Sequence, residues 1–131
     1  MPRARLIRQT GTMARARIDD GAGRAAVRAA LAEGASASRD IRAQAVRYTL
    51  QLLAEQAEGN TLEVRVPPFG ATQCVAGPRH TRGTPPNVIE TDAATWLALS
   101  TGALSWADGV ATGAIHASGA RATLLGHLPL L

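Results

Sequence analysis

The sequence predicts an α+β fold, a small mixed β-sheet covered by helices, and three observations carry that expectation. Two segments with helical spacing come first, between Asp19 and Ala57. Alternating strand patterns follow from Thr61 to Val75, and two short capped helices then lead into a closing strand that ends at Gly119. A chain of 131 residues is long enough for one domain with a substantial core. Residues 1–18 read as a disordered basic tail and 19–131 as a single domain, with helices in 19–58 and the sheet and C-terminal helices in 61–131.

The first helix starts at a cap supplied by Asp19 or Asp20 and stops at Gly34. Val27, Ala30 and Leu31 form its narrow apolar stripe. Gly21-Ala22-Gly23 is not a phosphate loop, because no strand precedes it, and it reads as a frayed helix entry. Ser36 or Ser38 opens a longer helix from Arg39 to Ala57. Ile41, Ala45, Tyr48 and Leu52 lie along one line of that helix, and Val46, Leu50 and Leu53 lie roughly opposite. Two apolar sides place it between the sheet and another layer.

Leu62, Val64 and Val66 alternate with Glu63 and Arg65, the pattern of a half-buried strand. Pro67-Pro68 interrupts it, since proline donates no ladder hydrogen bond. A second strand follows, with Phe69, Ala71, Gln73 and Val75 on one face and Gly70, Thr72 and Cys74 on the other. Ala76–Pro86 is too rich in Gly and Pro for regular structure, and Val88 to Glu90 makes a short third strand.

Thr91 or Asp92 caps the next helix, which carries Ala93, Trp96, Leu97 and Ser100 on one side and stops at Thr101-Gly102. Ser105 with Asp108 has the form of a capping box for a further short helix, in which Trp106 and Val110 share a face and Thr112-Gly113 closes. Ile115 and Ala117 alternate with His116 and Ser118 before Gly119. Arg121 to Leu128 then reads as a last helix with Leu124, Leu125 and Leu128 apolar, stopped by Pro129.

Charge is divided unevenly. Arg3, Arg5, Arg8, Arg15 and Arg17 precede the first acid, so nine of the 14 basic residues remain against all 10 acidic ones. A specific nucleic-acid binder carries its basic patch on the folded body, and this body is close to neutral, so no specific nucleic-acid partner is expected. The tail can attract anionic surfaces without specificity, which leaves room for transient membrane-surface contact. The preferred reading is a solvated extension, with the true start at either Met1 or Met13. No apolar run fits a secretory signal or a membrane span, and a single cysteine fits a reducing compartment, so a cytoplasmic location is expected.

The ordered set Asp92, Trp96, Leu99, Gly102, Ala107, Gly113, Ile115 and Ser118-Gly119, followed by an apolar helix, resembles the C-terminal half of sterol-carrier-protein domains. The arrangement RVPPFG…PPNVIETDAATWLAL…SWADGVATG…ASGARA…LPLL is similar to small actinobacterial sterol-carrier-like proteins and to the C-terminal region of mycothiol-dependent maleylpyruvate isomerases. The absence of lysine suggests a GC-rich genome, in keeping with that source. The resemblance spans Thr61 to Leu131 and implies an apolar cavity between sheet and helices, with no catalytic residues of its own. Sheets in this family have about five strands, and four are legible here; the further strand either lies in Ala76–Pro86 or is absent, which would leave the cavity floor incomplete.

On this reading the protein is a non-enzymatic binding or transfer protein for a lipid or other apolar ligand. Its wall would be built from Val64, Phe69, Trp96, Leu97, Trp106, Val110, Ile115, Leu124, Leu125 and Leu128, and Trp96→Ala would weaken binding more than folding. The alternative is a protein-interaction or accessory module whose tryptophans fill the core and leave no cavity, its partner unknown. A thiol-cofactor accessory domain is a third reading, suggested by the isomerase resemblance. Arg79, His80 and Arg82 form a candidate anion or headgroup loop, or a solvated loop whose arginines pair with Glu63, Glu90 or Asp92. Cys74, His80, His116 and His127 match no zinc spacing, and no nucleophile motif occurs, so neither a metal, a cofactor nor a catalytic residue is expected.

Overall fold

The computed structural model describes residues 16–77 and 86–131. Helix α1 spans Asp20–Glu33, and its start is fixed by the Asp19 carboxylate, which accepts from Ala22 N–H at 3.0 Å. Gly34 ends it at φ 56, a backbone position that suits glycine. A short 3₁₀ turn, Gly34–Ser36, leads to α2, Arg39–Gln56, where Ser38 Oγ accepts from Ile41 N–H at 3.1 Å. Both starts fall where the sequence places them, because a capping side chain satisfies N–H groups that no helical carbonyl can reach.

Strands β1, Leu62–Val66, and β2, Gly70–Cys74, form an antiparallel hairpin. Strand β3, Asn87–Thr91, runs parallel to β1 on its other side. Helix α3, Ala93–Thr101, and helix α4, Trp106–Ala111, intervene before β4, Ile115–Ser118, which pairs antiparallel with β3. The sheet order is therefore β2-β1-β3-β4, mixed and open, which confirms the α+β class. The region in which a further strand was sought falls largely outside the described residues.

Helix α2 is the middle layer, touching α1, α3 and the sheet at β2. Tyr48, Val46 and Leu53 are fully buried on it, as two apolar sides require. Leu62, Val64, Val66 and Ile89 close the core from the sheet. The inward side of β2 is the Gly70, Thr72 and Cys74 side, while Ala71 and Gln73 face outward. Phe69 stands just outside the strand: its N–H donates to Val66 O at 2.9 Å across the Pro67-Pro68 turn.

Four local expectations change. The stretch Arg121–Leu128 is not a helix but a series of turns that folds back on α3, with Leu130 and Leu131 N–H both donating to Ser100 O at 2.8 and 3.2 Å. An eight-residue helix is marginal without tertiary support. Here Gly126 takes φ 89, and the backbone finds better partners at the end of α3. Leu31 is 46% exposed instead of joining the buried stripe, because it borders an open cleft. Val110 is likewise turned outward, and Gly109 takes the buried place on α4, close against Ile115. Gly23 is no frayed entry: it is buried inside α1, where a Cβ would overlap the Tyr48 ring.

Residues 1–15, with most of the basic tail and Met13, lie outside the described residues. Arg17 and Ile18 are joined to α2: Arg17 pairs with Glu55 at 2.6 Å, and Ile18 exchanges hydrogen bonds with the Gln51 side chain through its N–H and its carbonyl.

Candidate functional site

A cleft of about 700 Å³, open to solvent, is bordered by four pieces of chain. It does not lie between sheet and helices. Its first wall is the end of α1 and the turn after it, where Ala30, Gly34 and Ala35 offer only small groups. Its second is the start of α2, with Arg39 and Arg42. The Pro67-Pro68-Phe69 turn and the first turns of α3, Asp92 to Leu97, complete it. Small or ring-closed residues make up much of the lining and leave room beside the larger Leu31, Phe69 and Leu97.

Phe69 organises one end. Its ring is buried, its carbonyl accepts from Arg47 Nε at 3.0 Å, and the Arg39 and Arg42 guanidinium carbons stand 5.5 and 5.7 Å from its centroid. Both distances fall within the range of a cation–π contact. Arg42 Nε also donates to Ala37 O at 3.2 Å. Asp92 is held as the α3 cap, accepting from Thr95 N–H at 2.8 Å.

The predicted wall does not converge on this cleft. Of its ten residues, Phe69 and Leu97 line it. Val64 and Trp96 are fully buried in the core, and Trp96 Nε1–H donates to Thr49 Oγ1 at 2.7 Å. That hydrogen bond seats the indole as packing between α2 and α3. Ile115 packs against α4 at Gly109, and Val110 is exposed at 49%. Trp106, Leu124, Leu125 and Leu128 gather at a separate hollow of about 330 Å³ beneath the C-terminal segment, where Leu125 is 70% exposed. Arg79, His80 and Arg82 lie outside the described residues. Their possible partner Glu63 pairs with Arg65 at 2.9 Å.

Sequence reasoning missed Arg39, Arg42 and the small residues of the cleft. One signal was available: two arginines in the first turn of a long helix oppose the positive end of its dipole, so some other interaction must hold them there. Cys74 is fully buried, and burial pushes its thiol up to about 11, which leaves it protonated and a poor nucleophile. His116 lies exposed on β4 and His127 in the C-terminal turns, and the described residues contain no cluster of three potential metal ligands.

An open mixed sheet with helices ahead of it and a capped helix pair before its last strand defines the domain as α+β. A family model described as "Bacterial SCP ortholog" matches residues 38–130, from the cap of α2 to the C-terminal turns, and the chain belongs to this bacterial sterol-carrier-protein-like family. The match does not bear out the likeness to the maleylpyruvate isomerases. No curated protein matches the chain. Helix α1, which supplies one wall of the cleft, precedes the matched span.

Proposed function

We propose that the protein is a non-catalytic carrier that holds an apolar, lipid-type ligand in the cleft between α1, α2, α3 and the β1–β2 turn. The observation that carries this reading is the cleft itself: about 700 Å³, floored by Leu97, Ala93, Ala94 and the proline turn. That volume lies within the range of about 300–1,000 Å³ usual for small-molecule sites. A ligand burying on the order of 300 Å² of apolar surface gains roughly 7 kcal/mol before the entropy of association opposes it. Family membership favours carriage over chemistry, and the buried, protonated Cys74 offers no nucleophile.

Native mass spectrometry followed by organic extraction tests the reading directly. A near-stoichiometric lipid should leave with the wild-type protein and be missing from Ala94→Trp, whose exposed position lets the new ring fill the cleft without entering the core. If that variant retains full ligand, the ligand is bound elsewhere. A second reading, a docking module without ligand, is favoured by the filled core around Trp96 and by the exposed Leu125. An empty wild-type protein that also fails to take up a fluorescent fatty acid would favour it. No helix among the described residues is long and apolar enough to cross a membrane, so delivery at a membrane would proceed from its surface.

A further inference from the structure

We infer that Arg39 and Arg42 form an oxyanion clamp at the Phe69 end of the cleft, so that the ligand is an amphiphile with a carboxylate or phosphate-ester head. This rests on the reading of the cleft as the ligand site and adds the class of head it selects. Both guanidinium groups stand over one buried ring, at 5.5 and 5.7 Å, and both side chains line the cleft. The shared ring holds both cations at the same end of the cleft, so their charge is gathered there before any ligand arrives. Neither cation has a carboxylate partner among the described residues, where the ion pairs are Arg17 with Asp20 and Glu55, and Arg65 with Glu63. The remaining residues, 1–15 and 78–85, contain no Asp or Glu.

Arg42 uses Nε on Ala37 O and keeps its terminal Nη groups for another acceptor. Arg39 donates to no protein acceptor among the described residues. Two forks that are stacked, uncompensated and adjacent suit a head with two or more oxygen acceptors. Asp92 is the one acid that lines the cleft, and its Oδ1 is engaged by Thr95 N–H. The cleft therefore carries two positive charges against one negative. Leu97, Ala93 and Ala94 supply the apolar surface for the chain that follows the head.

The test measures affinities by calorimetry for decanoate, decyl phosphate, decanol and inorganic phosphate, on wild-type protein and on Arg39→Gln/Arg42→Gln. Wild-type protein should bind decanoate and decyl phosphate about tenfold or more tightly than decanol, the gain expected of charge-assisted hydrogen bonds to a partly exposed site. The double variant should hold all three chain ligands at the decanol level, with decanol itself unchanged. Should the double variant fail to fold, Arg39→Gln alone, at an exposed position, should lose a measurable part of the same preference. Equal wild-type affinity for decanoate and decanol would overturn the clamp and leave the apolar cleft standing. Inorganic phosphate binding as tightly as decyl phosphate would mark a free-anion site and overturn the amphiphile. Binding of none of the chain ligands would remove both the clamp and the cleft reading.

Discussion

Gly23→Ala should destabilise the protein, although alanine for glycine inside a helix ordinarily stabilises by about 1 kcal/mol. A Cβ at Gly23 would overlap three atoms of the Tyr48 ring, the farthest of them at 2.6 Å. The ring cannot swing away, because it is fully buried and its hydroxyl donates to Asp20 Oδ1 at 2.7 Å. Relief must come from moving α1 off α2, and overpacking of this kind costs about 1–3 kcal/mol. Setting that against the propensity gain, the net loss should be about 0–2 kcal/mol, each 1 kcal/mol lowering the melting temperature by roughly 4 °C for a domain of this size. Gly21→Ala is the control, since a Cβ there meets only the Asp19 carboxylate oxygen at 3.2 Å, on a side chain that can adjust. Urea unfolding followed by far-ultraviolet circular dichroism reads both variants. A second check is Tyr48→Leu, which should cost less in the Gly23→Ala background than in the wild type, the signature of two residues competing for one space. Gly23→Ala equal to or more stable than Gly21→Ala would refute the close contact between α1 and α2. The same displacement would shift the α1 wall of the cleft, so Gly23→Ala should also weaken ligand uptake.

Because Trp96 is fully buried and bonded to Thr49, Trp96→Ala should cost about 3–5 kcal/mol of stability and Trp96→Phe less, with ligand affinity per folded molecule unchanged in Trp96→Phe. A binding defect in Trp96→Phe that exceeds its stability loss would contradict this placement. Cys74 should resist thiol reagents at pH 8 in the native protein and react fully once urea unfolds it; rapid labelling of folded protein would disagree with its burial. Acid should erode stability through Asp20 and Glu55. The Tyr48 hydroxyl and then Arg17 hold Asp20 below its usual 3.8, and Arg17 holds Glu55 below 4.5, so their contribution is present above those values and is lost as pH falls through the lower folded ones. Alkali acts on Tyr48, which burial and then Asp20 raise above 10.0: its contribution is complete below that value and disappears as pH climbs through the folded one. Tyr48→Phe should remove the alkaline loss, measured as melting temperature against pH, and an unchanged alkaline limb would count against the buried phenol.

The helix starts were legible because capping is local. Asp19, Ser38, Asp92 and Ser105 each accept from an N–H three residues on, an interaction written within one turn of chain. Strand β1 was legible for a similar reason, since alternation along a few residues states that one face is buried; at β4 the expected buried face holds only Ile115, and Ala117 is exposed. The sequence also determined the family, through the order of capped helices and the closing strand. What alternation and helical spacing do not state is the partner of a buried side chain. Trp96 and Leu97 are neighbours, yet one is locked against Thr49 and the other borders open space. Only the tertiary structure brought Phe69 beneath Arg39 and Arg42, set Gly23 against Tyr48, and turned the C-terminal leucines into a strap bonded to Ser100. A cleft is the place where elements distant in sequence fail to touch, and its lining is decided by how those elements pack rather than by any one segment.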